Sequence, residues 1–170
     1  MTRRLLLAIL AVLLAAKGPA LALPRASTAT TPIATLERRP ETRLVMEAYM
    51  PNITKHPAYP RFSGMSLKQL QERDPRITDQ TLDRIDAALA AAQAPPSVGT
   101  TPIFLLAGSP STRAVLDSHF PGLVAHPNYP RFRFLSLKEL QGFDPRITDA
   151  MLAATQSSLD ATQAPAAPAP

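Results

Sequence analysis

Apolar residues fall along this chain in small clusters, three or four positions apart, and the same order of clusters is met twice. Ile33 and Leu36 are answered by Ile103 and Leu106, and Val45, Met46 and Tyr49 by Val115, Leu116 and Phe120. Leu67 and Leu70 are answered by Leu137 and Leu140, and Leu82, Ile85 and Leu89 by Leu152, Thr155 and Leu159. Spacings of three and four put each cluster on one side of a helix. Residues 26–95 align with 96–165 without a gap: 23 of the 40 positions from His56 to Pro95 are identical, and 11 of the preceding 30. The pattern predicts an all-α protein, a tandem duplication of a small module of four short helices.

Helix boundaries are written beside these clusters. Thr31-Pro32 and Thr101-Pro102 read as an N-cap followed by a first-turn proline, and Gly108 as a C-terminal cap. Pro40 and Pro110 open the second helix; Pro51 and Pro121 stop it, because a prolyl ring cannot continue the hydrogen-bond ladder. Ser66 with Gln69, and Ser136 with Glu139, have capping-box spacing. Thr78 and Thr148 cap the fourth helix, where Asp79 and Asp149 suit the positive end of the helix dipole. Ile77 with Leu82, and Ile147 with Leu152, form hydrophobic staples. Tyr129 to Leu135 is the nearest thing to a strand, and Pro130 interrupts it.

The ends read differently. Thr2-Arg3-Arg4, an apolar run from Leu5 to Ala16 and Ala20-Leu21-Ala22 make residues 1–22 a secretory signal peptide. Twelve apolar residues are too few to span a bilayer, which takes about 20. Two adjacent arginines also fit a twin-arginine signal. The organisation expected is therefore a leader over 1–22, repeat 1 over 26–95, repeat 2 over 96–163 and a disordered Ala/Pro tail over 164–170. Each copy orders about 60 residues, near the lower limit for folding alone. The sequence leaves open whether the copies pack together.

Charge narrows the function. The chain carries 18 basic and 13 acidic residues, but Arg3, Arg4 and Lys17 lie in the leader region, leaving 15 against 13. Repeat 1 has 9 basic and 8 acidic residues and repeat 2 has 5 of each, so neither offers the basic patch that nucleic acid requires. With no cysteine, disulfides are excluded. Three histidines, His56, His119 and His126, without metal-ligand spacing predict no metal, and no cofactor motif is present. No Gly-x-Ser-x-Gly elbow or persuasive carboxylate pair points to a catalytic residue.

What folding leaves unexplained is His-Pro-x-Tyr-Pro-Arg-Phe, at 56–62 and 126–132. Imidazole, phenol and guanidinium stand within seven residues, on a backbone stiffened by two prolines. The candidate binding residues are therefore His56, Tyr59, Arg61, His126, Tyr129 and Arg131, with Arg suited to an anion and Tyr to a sugar face. The competing structural reading makes Phe62 and Phe132 core plugs, Tyr a cover over the prolines, and His and Arg partners for carbonyls freed at the end of the second helix. Asp74-Pro75-Arg76 and Asp144-Pro145-Arg146 either tie a turn with an ion pair or face a ligand. Lys68 and Lys138 read as solvated, and Asp83 and Asp86 as ordinary surface charge.

Thr-Pro-Ile-x-Leu-Leu from Thr101, Ala-Val-Leu-x-x-x-Phe-Pro-Gly-Leu from Ala114, Ser-Leu-Lys-x-Leu from Ser136 and Ile-Thr-Asp-x-x-Leu from Ile147 carry a resemblance. Residues 100–160 resemble short helical modules that accompany exported carbohydrate- or ester-cleaving hydrolases of Gram-negative bacteria. No hydrolase domain is attached here, and no catalytic residues carry over. The expectation is a periplasmic or secreted two-repeat protein that binds rather than catalyses. Its partner would be an envelope protein or a small polar, saccharide-like ligand, with no stable membrane span. An accessory or degenerate hydrolase subunit and a purely structural envelope protein are the alternatives.

Overall fold

The structure, a computed structural model, describes residues 25–163; the leader expected over 1–22 and the tail expected over 164–170 lie outside them. Among the described residues there are ten α-helices, one 3-10 turn and no strand, as the all-α reading expects. The first half holds α1 (Ile33–Arg38), α2 (Pro40–Tyr49), α3 (Tyr59–Phe62), α4 (Leu67–Gln71) and α5 (Asp79–Ala92). The second holds α6 (Ile103–Gly108), α7 (Pro110–His119), α8 (Tyr129–Phe132), α9 (Leu137–Gln141) and α10 (Asp149–Gln163). The expected count of four helices per copy is corrected to five. Tyr-Pro-Arg-Phe winds into a single α-turn, with its proline in the first turn, where the missing N–H is not needed.

Proline decides where α1 gives way to α2. The Leu36 carbonyl would ordinarily accept from the N–H of residue 40, but Pro40 has none. Thr42 supplies the donor instead, its buried hydroxyl donating to Leu36 O at 2.5 Å. Thr112 does the same for Leu106 O at 2.6 Å, across Pro110. The free amides at the start of α1 are met from afar: Ile33 N–H donates to Met65 O and Ala34 N–H to Ser63 O, both at 2.9 Å. Ile103 and Phe104 repeat this with Leu135 O and Arg133 O. Thr31 and Thr101 are not the caps expected. Pro32 and Pro102 occupy the cap positions, and the threonine hydroxyls accept from Ser27 N–H and Ser97 N–H.

Both capping boxes form, with Gln69 and Glu139 returning bonds to the backbones of Ser66 and Ser136. Thr78 and Thr148 accept from Thr81 N–H and Met151 N–H, each at 3.2 Å. Lys68 and Lys138 are more than solvated charges: each ammonium meets Asp79 or Asp149 at 2.8 Å, and Gln71 or Gln141 joins the same carboxylate. Asp86 is no bystander either. Its carboxylate accepts from the backbone N–H and hydroxyl of Thr28, both at 2.7 Å, and holds the entry to α1 against α5.

Each half buries its own apolar stripe, through Leu36, Met46, Leu67, Ile85 and Leu89 in one and Leu106, Leu116, Leu137 and Leu159 in the other. A fully buried side chain of this size contributes about 1.5–3 kcal/mol. Thr155, where the first half has Ile85, is also buried and turns its hydroxyl onto Met151 O at 2.7 Å. The halves pack together, α2 against α6. Phe104 and Leu105 of α6 belong to the first half's core, and Phe134 packs on it. Gly108 ends α6 where a Cβ would collide with Leu44 Cδ1 and stand 3.2 Å from its Cδ2. Close approach of α2, and not the expected helix cap, is what glycine permits there.

Candidate functional site

The turn between α4 and α5 begins the site. Arg76 donates from Nε and Nη2 to the two carboxylate oxygens of Asp74, at 2.9 and 2.7 Å, and its backbone N–H adds a bond at 3.1 Å. Arg146 and Asp144 reproduce these distances between α9 and α10. The guanidinium hydrogen bonds, with the backbone bond beside them, hold the carboxyls of Asp74 and Asp144 down at about 2. Each pair therefore stays ionised at neutral pH. Arg76 is 87% exposed and Asp74 30%, so the carboxylate is the inner member and the guanidinium the outer one.

His56 stands opposite this turn. Its Nδ1 accepts from Ala58 N–H at 3.1 Å, as His126 Nδ1 accepts from Asn128 N–H. That bond fixes the tautomer of the neutral ring and leaves Nε2 to carry the proton. The imidazole lies 5.8 Å from the ring of Phe62, and His126 the same distance from Phe132. The carbonyl partners expected for His are replaced by a bond within the loop itself. Between imidazole and ion pair runs a groove of about 530 Å³, floored by Ile53, Phe62, Leu70 and Ile77. At the end of α2 the chain turns through Asn52, whose φ of 66° lies in the left-handed region; Gly122 takes that place in the second half with a φ of 80°.

The second half has a groove of its own, of about 520 Å³. Every position lining the first has its counterpart, 70 residues on, lining the second. His119 lies in this lining and bonds Ser158 Oγ through Nε2 at 2.9 Å.

Of the six residues singled out in the sequence, the grooves take His56 and His126 and leave out Tyr59, Arg61, Tyr129 and Arg131. A single α-turn is the cause. Tyr59 and Phe62 share a side and meet edge-on, with centroids 5.6 Å apart, whereas Arg61 two residues on points elsewhere. Tyr59 is half-buried; burial chiefly, and the Glu37 carboxylate in addition, raise its phenol above the ordinary range. Burial likewise raises Tyr129. Arg61 and Arg131 are exposed and, among the described residues, form no side-chain hydrogen bond or ion pair. Residues that sequence reasoning passed over include Arg73 and its counterpart Phe143. The only signal for them was that the two copies differ there.

Chemically, each groove sets imidazole and guanidinium donors over an apolar floor. Neither lining contains Ser, Thr, Cys or Lys. A carboxyl held at about 2 is a weak general base at neutral pH. Among the described residues no three His, Asp or Glu side chains are placed to hold a metal ion, and no helix is long and apolar enough to cross a membrane. The result is an all-α protein with two like grooves. No protein-family model, no curated protein and no solved structure matches the chain.

Proposed function

We propose that this is an exported, non-catalytic protein of two tandem repeats that binds a small polar ligand with one apolar face, such as a saccharide, in each groove. The recurrence of the groove carries this reading: the same lining positions, the same ion pair and the same histidine tautomer stand at both places. Volumes of about 530 and 520 Å³ fall within the range of about 300–1,000 Å³ usual for small-molecule sites. An apolar floor suits the C–H face of a sugar ring, and the exposed guanidinium and imidazole suit its hydroxyls. The basic, apolar and small-residue order of positions 1–22 supports export to the periplasm or beyond.

Two measurements test the proposal. Amino-terminal sequencing of the exported protein should begin at Leu23, and a retained leader would overturn export by cleavage. Titration of that protein with neutral mono- and disaccharides should move amide resonances around His56 and Asp74, and around His126 and Asp144. Resonances that stay put, or that move only elsewhere, would overturn the binding reading.

A further inference from the structure

The two grooves share the histidine, the Asp–Arg pair and the Phe, Leu and Ile of the floor, and at one lining position an arginine in the first is answered by phenylalanine in the second. Arg73 and Phe143 occupy the same turn, their backbone N–H groups donating to Leu70 O at 3.0 Å and Leu140 O at 2.9 Å. Each lines its groove next to the Asp of the ion pair. Arg76 and Arg146 are both neutralised by that Asp through two nitrogens, so neither groove takes net charge from them. Arg73 has no such partner: among the described residues its guanidinium is in no ion pair. Glu72 precedes it but is absent from the groove lining. The first groove thus holds one uncompensated positive charge. The second holds an aromatic ring instead, and Phe143 is 77% exposed.

On the reading that the grooves bind small polar ligands, we infer that they read different ones. The first selects an anionic ligand, a saccharide-like molecule bearing a carboxylate, through Arg73. The second takes a neutral ligand, with the Phe143 ring against its apolar face. A guanidinium can grip a carboxylate with two parallel N–H bonds, which a neutral hydroxyl cannot reproduce. Phenylalanine offers no donor, only stacking area.

Glucose and sodium glucuronate, alike except for one carboxylate, are the probes, followed by amide shifts in the exported full chain. At the first groove glucuronate should bind about ten-fold more tightly than glucose, the scale of one charge-assisted hydrogen bond. Added salt should erode that preference. The second groove should show no preference for glucuronate. Arg73→Phe should abolish the preference at the first groove and Phe143→Arg should create it at the second. Both positions are exposed, so the thermal unfolding of each variant should match that of the parent. Equal binding of the two probes at the first groove, or a preference that survives Arg73→Phe, would overturn this inference and leave two-site binding standing. If neither probe binds either groove, both readings fall together.

Discussion

The ring of Phe134 lies 5.0 Å from that of Tyr49, centroid to centroid, and Phe104 closes a three-ring cluster at 6.1 Å from Tyr49 and 5.7 Å from Phe134. This cluster joins the halves. Arg133 covers it, its guanidinium carbon 4.6 Å from the Phe134 centroid and its Nη2 donating to Ala48 O at 3.3 Å. The cluster occurs once. Where the second half has Phe104, Arg133 and Phe134, the first has Ala34, Ser63 and Gly64; where the first has Leu44 and Tyr49, the second has Ala114 and His119. The halves thus meet through non-equivalent faces, so apolar side chains are needed on only one face of each.

Phe134→Gly should therefore cost about 2–3 kcal/mol in urea unfolding, somewhat below the loss of a fully buried aromatic. The reverse change, Gly64→Phe, should shift stability by less than about 0.5 kcal/mol, because nothing lies within 4 Å of the added Cβ. Equal effects at the two sites would deny that the contact is one-sided.

Thr42→Val and Thr112→Val should each cost about 1–3 kcal/mol with little change in volume. Valine keeps the packing but leaves the Leu36 or Leu106 carbonyl without the donor that Pro40 or Pro110 cannot supply. Denaturant midpoints of the two single variants measure this. A neutral result would mean that water reaches these carbonyls.

Acid should act on the Asp–Arg turns. The carboxyls of Asp74 and Asp144 sit at about 2 in the folded chain, against an ordinary value of 3.8. A depressed carboxyl contributes stability that is fully present above the unfolded value and is lost as pH falls through the folded one. Stability should accordingly decline between about pH 4 and pH 2. The double variant Asp74→Asn, Asp144→Asn should be less stable than the parent at neutral pH, decline less over that window and converge with it near pH 2. Exposure of the guanidiniums keeps the effect modest. Urea midpoints at a series of pH values, with carboxyl carbon NMR shifts, provide the check; parallel curves for parent and variant would rule out the linkage.

Much of this molecule was written in local spacing. Ser66 with Gln69, Ser136 with Glu139, the caps at Thr78 and Thr148 and the buried Ile77 and Ile147 stand where the sequence placed them, because a cap is made by residues within four positions of one another. The missed Tyr-Pro-Arg-Phe turn and the misassigned Thr31 and Thr101 are local, but the other misreadings involve partners brought from farther along the chain. Asp86 looked like surface charge until Thr28, 58 residues away, was brought to it. Lys68 looked solvated until the turn between α4 and α5 brought Asp79 back to it. Gly108 looked like a helix cap until Leu44 from the other half filled the space beside it.

The candidate site divides in the same way. From the sequence came four of the five helices in each half, the caps at Ser66, Thr78, Ser136 and Thr148 and the Asp–Pro–Arg turns, since backbone preference and short-range hydrogen bonds act within a few residues. Tertiary structure alone decided which side of the Tyr-Pro-Arg-Phe turn faces the core, and so why His56 meets Asp74 across a groove that Tyr59 and Arg61 do not line. A linear motif sets three side chains close in sequence. One turn of helix sends them in different directions, and only the packing of α3 beside the α4–α5 turn selects which of them share a surface.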